Sequence, residues 1–353
     1  MNTTATAIQQ RAFGRTSDGG EVTCFTLDAG GGVAVDVLDY GGIVQAIRAL
    51  DGAGVAADVV LGYDTVEGYE RDRFYLGAVV GRSAGRIAGA AFTLDGRRVR
   101  LTANDEANHL HGGARGFGKV IWSARPLEDA TGAGIVLTHT SPDGDEGYPG
   151  ALDVRVVYTL SADNVLSVEY HAVTDRPTVV NLTQHSYFNL AAMGDVLGHE
   201  LEVRASAFTP LGADLIPTGE IAPVDGTPFD FRAPTRIGER IGADDAQLRI
   251  GEGYDHNFAL EGAAGTLRAV ARLADSASGR VLEVATTEPG MQLYTGNYLD
   301  AAGKGGRRYG PRSGVCLETQ HHPDAPNQPG FPSTVLRPGE AYRSRTEFRF
   351  SVR

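Results

Sequence analysis

The sequence predicts an all-β protein, a large antiparallel β-sandwich with few short helices. Helical periodicity is scarce along the 353 residues, and short runs of alternating polar and apolar residues recur instead. The 47 glycines and 16 prolines are spread along the chain without a fixed period, as a fold of many strands and turns requires. No linker, repeat or charge block divides the chain, so we expect one domain over residues 1–353.

The predicted strands lie between turn residues. The clearest hairpin is at Asp95-Gly96, because this dipeptide readily adopts the positive φ angles of a two-residue turn. We predict strands at residues 21–27, 32–38, 43–50, 58–61, 91–94, 97–101, 134–140, 151–160, 165–173, 201–204, 267–273, 281–287, 291–294, 315–317 and 342–352. The one helical prediction is a short helix within residues 235–250, after Pro234.

Composition excludes several classes of partner. The formal net charge of −12 argues against nucleic acid and anionic membrane, since both need a basic surface. The two cysteines, Cys24 and Cys316, form no CxxC pair and lie in apolar runs, so we expect buried, reduced thiols. The chain starts with no signal-peptide pattern and holds no membrane-spanning apolar run, which predicts a cytoplasmic protein.

The most informative stretch is at residues 181–190, which follows an apolar, β-branched approach. It combines amide, hydroxyl and imidazole groups with aromatic rings, and a core strand would need partners for all of these polar groups. We therefore predict a strand end that lines a pocket. His185 lies in its middle and could exchange a proton near neutral pH. A structural histidine in a polar strand is the alternative.

Five further polar clusters interrupt the strand pattern, at residues 81–87, 108–113, 254–258, 292–297 and 317–327. In the first, Arg82 and Arg86 could form a fork that binds a polyol, or lie in a surface loop; a phosphate loop is disfavoured because no Gly-Lys-Ser/Thr follows. In the second, His109 and His111 would share one face of a strand. A third metal ligand at a recognisable spacing is missing, and a hairpin with incidental histidines stays open.

The remaining clusters supply carboxylates and amides. Asp255 could accept several hydrogen bonds from sugar hydroxyls, or form an Asx-turn. Gln292 belongs either to a pocket or to an ordinary polar turn after a strand. Glu318 ends an apolar strand, and burial would raise its pKa and make it a better base, unless it forms a buried ion pair with an arginine. His321 and His322 point apart on an extended chain, so we expect no metal site there.

Together these clusters resemble the aldose 1-epimerase family, also called galactose mutarotases. They occur in the family's order and span most of the chain. The more specific matches are the His-Gly-Gly run at residues 111–113, the His-Ser-Tyr-Phe-Asn-Leu run at residues 185–190 and the Glu-Thr-Gln run at residues 318–320. The resemblance implies a large antiparallel sandwich, often called a supersandwich, with a sugar cleft.

The resemblance also implies roles for particular residues. Glu318 matches the catalytic base and His185 the catalytic acid of the family. The substrate-binding positions match Arg86, His111, Asp255 and Gln292. No cofactor and no metal are implied. Gly85 stands where many members carry Asn, and His109 where a small polar residue is common, so both positions bear on the sugar preference more than on the chemistry.

The implied reaction interconverts the α and β anomers of a free aldose and would feed hexose and galactose metabolism. A base takes the proton of the C1 hydroxyl, an acid protonates the ring oxygen, and the ring recloses on the other face. Three alternatives are a glycoside hydrolase that pairs Glu318 with Asp255, a sugar-binding module, and a hexose-phosphate epimerase that uses Arg82 and Arg86. We expect a small aldose as the partner, and a monomer or homodimer.

Overall fold

The computed structural model describes residues 8–127 and 132–353. Strands make up 44% of the chain and helices 9%, which confirms the prediction of an all-β fold with few short helices. None of the helices in the described ranges has the length and apolar character needed to cross a membrane.

A nine-stranded antiparallel sheet supplies one layer. Its strands, in spatial order, are Ser123–Pro126, Ala133–Ser141, Leu152–Leu160, Val165–Thr174, Tyr342–Val352, Arg280–Thr286, Arg268–Ala274, Glu200–Val203 and Thr235–Arg236. Alternate side chains of its strands, such as Leu152, Val154 and Val156, are buried, while Asp153 and Arg155 face solvent. This alternation is typical of an antiparallel sheet that packs one face on a core.

A six-stranded antiparallel sheet packs against it and carries the polar clusters. Its strands, in spatial order, are Tyr187–Phe188, Val315–Gln320, Gly290–Tyr294, Asp255–Ala259, Ala207–Thr209 and Ala222–Pro223. Leu293 and Leu317 face each other across neighbouring strands and join the hydrophobic core. Because successive side chains alternate between faces, Gln292 and Glu318 leave the opposite face together.

A five-stranded sheet and five strand pairs complete the fold. The sheet contains Gln9–Arg15, Glu21–Asp28, Ala34–Leu38, Val44–Leu50 and Ala56–Asp58. The pairs join Val79–Val80 with Thr183–Gln184, Arg86–Ile87 with His109–Leu110, Ala91–Leu94 with Arg97–Arg100, Thr178–Val179 with Val335–Leu336, and Ala301–Ala302 with Arg308–Tyr309. The helices are Val66–Arg71, Ile237–Arg240 and Ala246–Ile250, with short 3₁₀ turns at Ala88–Ala90, Phe117–Lys119, Asp145–Gly147, Lys304–Gly306 and Ala325–Asn327.

Most predicted strands are confirmed to within one or two residues, and two predictions need correction. The predicted strand at residues 58–61 is wrong, because the strand ends at Asp58 and the chain then crosses to the six-stranded sheet, where the N–H of Leu61 donates to the carbonyl of Tyr187. The predicted helix at residues 235–250 is two short helices. The second begins because the carboxylate of Asp245 caps it, accepting from the N–H groups of Gln247 and Leu248.

Several elements were not predicted, among them the strands Gln9–Arg15, Ser123–Pro126, Ala207–Thr209 and Asp255–Ala259 and the helix Val66–Arg71. The first strand, Gln9–Arg15, is almost entirely exposed and lies at a sheet edge, so its sequence lacks apolar alternation. The helix Val66–Arg71 is too short for a periodic pattern, but Thr65 caps it by accepting from the N–H of Gly68. The capping residue Thr65 was therefore the sequence feature that could have predicted this helix.

Candidate active site

A cavity of about 530 Å³ opens over the polar face of the six-stranded sheet. All six residues that the sequence nominated line it: Arg86, His111, His185, Asp255, Gln292 and Glu318. The structure therefore brings together clusters that are far apart in the sequence. It also places the stretch at residues 181–190 beside the cavity, where it forms two strands of two residues each, Thr183–Gln184 and Tyr187–Phe188.

The floor of the cavity is built by strand register. Gln292 lies directly opposite Glu318, and Asn257 lies directly opposite Gln292 on the next strand, so all three side chains leave the same face. Asp255 follows on that face, two residues before Asn257, and its Oδ1 accepts a hydrogen bond of 2.7 Å from the amide of Gln292. This contact fixes the carboxylate and directs the carbonyl oxygen of the Gln292 amide away from it.

The central contact joins the imidazole and the buried carboxylate. His185 Nε2 lies 3.6 Å from Glu318 Oε1, and both side chains are less than 5% exposed. The second carboxylate oxygen, Oε2, is buried and has no hydrogen-bond partner among the described residues. A buried, unpartnered carboxylate oxygen is costly to stability, which marks Glu318 as a residue kept for chemistry.

Burial moves the protonation equilibria of both groups. It raises the pKa of Glu318 well above its ordinary value, and the charge of Asp255 adds to this effect while Arg86 opposes it. Burial also lowers the pKa of His185 to about 4. Because the two groups lie 3.6 Å apart, their titrations are coupled, and the directions of both pKa shifts favour a single proton on the pair. The buried site favours that proton on Glu318, since both groups are then uncharged.

His111 forms one wall and presents a hydrogen-bond donor. Its Nδ1 accepts from the N–H of Gly85 at 3.2 Å, and burial lowers the pKa of the ring well below its ordinary value, so the neutral ring carries its proton on Nε2. The chain turns sharply after it, where a Cβ at Gly112 would lie 1.7 Å from the carbonyl oxygen of Gly81. Only glycine fits there.

Arg86 and Asp105 form a second charged pair at the cavity. Arg86 Nε donates to Asp105 Oδ2 at 2.7 Å, and the arginine side chain is 16% exposed. A guanidinium has several N–H donors and Asp105 accepts from Nε, so other N–H groups of Arg86 are left for a ligand. Asp105 was not predicted, because it lies in a polar loop without a pattern.

Tyr75 is a further wall residue that the sequence analysis missed. Its ring packs on His185 with a centroid distance of 5.9 Å and against the edge of His111 at 4.6 Å. The carboxylate of Asp72 holds this segment by accepting from the N–H groups of Phe74 and Leu76. The backbone of Tyr75 has a φ of 58°, which is costly for an aromatic residue and typical of a functional segment.

Two expectations for the neighbouring basic residues are wrong. Arg82 does not form a fork with Arg86, because its buried guanidinium donates to Ser141 Oγ and to the carbonyls of Ser141, Pro142 and Gly150. His109 does not share a face with His111. Its ring is fully buried between the carbonyl of Thr102 and the hydroxyl of Tyr148, each at 2.7 Å. Both residues are satisfied structural groups.

The adjacent histidines point apart as expected. His321 Nδ1 lies 2.6 Å from Glu288 Oε2, and His322 Nδ1 lies 2.9 Å from the amide nitrogen of Asn257. A different group, His111, His185 and Glu318, brings three donor atoms within 4.8 Å of one another. These are chemically possible zinc ligands, but the same atoms suit proton transfer without a metal. That the site needs no metal and no cofactor stays a prediction.

Gly85 is one of the two positions at which the sequence departs from the family pattern. It lines the cavity, and a Cβ at this position would lie 2.8 Å from Pro323 Cβ. Asparagine would therefore need a shift of Pro323, and the missing amide leaves space beside Arg86.

Several known proteins are similar to this chain in sequence and in structure. The family model described as "Aldose 1-epimerase" matches residues 23–349. A galactose mutarotase of Bos taurus is 49% identical over 322 residues, covering 90% of this chain and 91% of the bovine protein. An aldose 1-epimerase of Escherichia coli (strain K12) is 38% identical over 338 residues, covering 94% and 96%. The crystal structure of a galactose 1-epimerase from Lactobacillus acidophilus matches with a TM-score of 0.88, 30% identity and 99% coverage of both chains.

The β-sandwich and its polar cavity are those of an isomerase that acts on a sugar. The chain belongs to the aldose 1-epimerase family. It interconverts the anomers of an aldose, a reaction of the racemase and epimerase class. The predicted family, fold and reaction are thereby confirmed.

Proposed function

We propose that Glu318 is the base and His185 the acid of this anomer interconversion, and that free galactose and related hexoses are the substrates. The observation that carries the proposal is the 3.6 Å contact between His185 Nε2 and Glu318 Oε1 on the floor of the cavity. The galactose preference is supported by the similarity to mammalian galactose mutarotases. Supply of galactose and glucose anomers to hexose metabolism follows as the proposed role.

The proton balance of the reaction matches the pair. In ring opening, Glu318 takes the C1 hydroxyl proton while protonated His185 gives a proton to the ring oxygen. The pair then consists of a neutral carboxylic acid and a neutral imidazole, which is the state that burial favours. After rotation about C1–C2, the same two transfers run in reverse and close the ring on the other face. The pair holds one proton in total throughout.

The remaining residues hold the sugar hydroxyls. Arg86 offers guanidinium donors, and His111 offers Nε2–H. Asp255 offers a carboxylate that Gln292 already orients. Burial raises the pKa of Asp255, with Arg86 and the Gln292 hydrogen bond acting against this. A carboxylate that is partly desolvated forms strong hydrogen bonds to hydroxyl groups, so binding of a polyol offsets the cost of its burial.

Asp255→Asn is expected to raise KM for galactose by ~10-fold, since a hydrogen bond to a charged group contributes roughly 1.5–3 kcal/mol. kcat should change less, because the residue contacts hydroxyls away from the reacting atoms. Steady-state polarimetry measures both constants. Exposed Asp153→Asn, on the solvent face of the nine-stranded sheet, is the matched control. Unchanged saturation in Asp255→Asn would remove this residue from the sugar site.

The pH dependence of kcat/KM is expected to be bell-shaped. The lowered pKa of His185, about 4, sets the acid limb, because a second proton on the pair leaves no base. The raised pKa of Glu318 sets the alkaline limb, because loss of the only proton leaves no acid. Polarimetry with subtraction of the unaided reaction at each pH measures the profile. A rate that is independent of pH through the alkaline range would contradict the one-proton pair.

The alternatives fit the cavity less well. A hexose-phosphate substrate would need a basic site, yet Arg82 is turned away and the lining carboxylates Asp105, Asp255 and Glu318 outnumber the arginines Arg73 and Arg86. A glycoside hydrolase would need two carboxyl groups as catalytic partners. Here Glu318 contacts an imidazole, and Asp255 contacts an amide.

The test is polarimetry of freshly dissolved α-D-galactose and α-D-glucose, with and without protein. Acceleration beyond the unaided rate supports the proposed substrates. Acceleration only with arabinose or xylose would show that the substrates are pentoses, and acceleration only with glucose 6-phosphate would show that they are phosphorylated sugars. Sugar binding without acceleration would contradict catalysis. We also propose a cytoplasmic monomer or homodimer with one domain, for which light scattering gives the oligomeric state.

A further inference from the structure

The catalytic imidazole has a contact on each of its two nitrogens. His185 Nε2 faces Glu318 Oε1 at 3.6 Å, and His185 Nδ1 faces Cys316 Sγ at 3.5 Å. Cys316 and Glu318 are two residues apart on the strand Val315–Gln320, so their side chains leave the same face of the sheet. One strand therefore contacts both ends of the ring, and all three side chains are buried.

We propose that Cys316 is a positioning residue that holds neutral His185 in the tautomer with its proton on Nδ1, so that Nε2, the nitrogen that faces Glu318 and the cavity, keeps its lone pair. The tautomer matters because Nε2 gives its proton to the ring oxygen of the sugar in ring opening and must take it back in ring closure. A neutral ring with its proton on Nε2 could not accept a proton there, and it would turn an N–H toward the protonated Glu318. The proposal rests on the acid role of His185 proposed above.

The chemistry of a buried thiol suits this contact. Burial raises the pKa of the Cys316 thiol well above its ordinary value, and the charge of Glu318 adds to the shift, so the sulfur keeps its proton. A thiol is a weak donor and a weak acceptor. Its sulfur accepts N–H from Nδ1 of the neutral ring and equally from Nδ1 of the imidazolium. The same side chain thus serves both protonation states of His185.

The surroundings of the ring leave this role to Cys316. The groups that face His185 are Glu318, His111, Tyr75, Tyr187 and Cys316. The two tyrosines contact the ring through their faces and edges, at centroid distances of 5.9 and 5.1 Å. Among the residues that the structure describes, Cys316 is the side chain within hydrogen-bond distance of Nδ1.

The experiment compares Cys316→Ala and Cys316→Ser with the same changes at Cys24, the second buried thiol, which lies in the strand Glu21–Asp28 outside the cavity. Long-range ¹H–¹⁵N spectra of histidine-labelled protein at neutral pH report the tautomer of His185. Its signals are assigned by their loss in His185→Gln. Polarimetry with galactose gives kcat and KM for each variant.

We expect mixed tautomers and a fall in kcat of about five- to tenfold in Cys316→Ala, with KM within about twofold, which is the effect of one lost neutral hydrogen bond. Cys316→Ser should restore the Nδ1–H tautomer and most of kcat, because a hydroxyl oxygen can accept a hydrogen bond in the same place. The Cys24 variants should keep the wild-type tautomer of His185 and the wild-type kcat.

Two outcomes would overturn the proposal. One is an unchanged His185 tautomer in Cys316→Ala. The other is an equal loss of kcat in the serine and alanine variants, which would indicate packing alone. The proposed function has a separate test, because it fails if His185→Gln keeps wild-type turnover. The tautomer of His185 is determined from the spectra alone and does not depend on any measurement of activity.

Discussion

Glu318→Gln is expected to lower kcat by ~10³- to 10⁴-fold while the protein folds normally, because an amide cannot take the C1 hydroxyl proton. The substitution keeps the size of the side chain and its place opposite Gln292. KM for galactose should change little, since Arg86, His111 and Asp255, which we propose hold the sugar hydroxyls, line the cavity unchanged. Polarimetry at saturating galactose measures the loss against the unaided reaction.

The stability of this variant gives an independent check on the burial of Glu318. A folded-state pKa above the unfolded value means that the native protein binds this proton more tightly, so ionisation at high pH costs stability. The neutral amide removes that cost. The Tm of Glu318→Gln should therefore equal or exceed that of the wild type, with the difference growing as the pH rises. Near-normal turnover in a folded Glu318→Gln protein would remove this residue from the role of base.

His185→Gln is expected to lower kcat by ~10²- to 10³-fold, because the amide nitrogen can donate a hydrogen bond to the ring oxygen but cannot transfer a proton. The loss is smaller than for Glu318→Gln because this hydrogen bond still polarises the C1–O bond. The structural contact with Tyr75 is also lost, so thermal unfolding must be measured beside activity. A His111→Gln variant serves as the matched control, since that ring lines the same cavity but carries only a binding role in the proposal.

The double variant separates joint action from independent action. In the proposed mechanism, Glu318 and His185 exchange protons with the two ends of one hemiacetal, so neither transfer is useful without the other. The double variant should therefore be about as slow as Glu318→Gln alone rather than slower by the product of both effects. Multiplicative losses would argue that the two residues act in separate steps.

The pattern of the chain was enough to predict much of this protein. Period-two alternation and turn residues located most strands of the three sheets, because side-chain alternation is a local property of an extended chain. The polar clusters were visible for the same reason, since they interrupt that alternation at strand ends. The resemblance to the family then placed Glu318, His185 and four substrate-binding positions in one cavity, where the structure has them.

Tertiary structure alone decided which of the nominated groups touch and which only resemble site residues. Arg82 and His109 have the same chemistry as Arg86 and His111 and lie within two to four residues of them, yet they are satisfied within the protein. The turn at His111, with a φ of 51°, separates the rings in a way that no strand pattern predicts. Tyr75 and Asp105 reach the cavity from loops.

The contacts of His185 with Glu318 and Cys316 follow from strand register and from the broken path of residues 181–190. Side-chain type and period are encoded residue by residue, and therefore they can be read locally. Proximity depends on how distant segments pack, because the free energy of burial is shared by the whole core rather than assigned to one segment. The sequence thus determined the chemical groups available to this enzyme, and the packing of its sheets decided that His185 and Glu318 would meet as one buried pair.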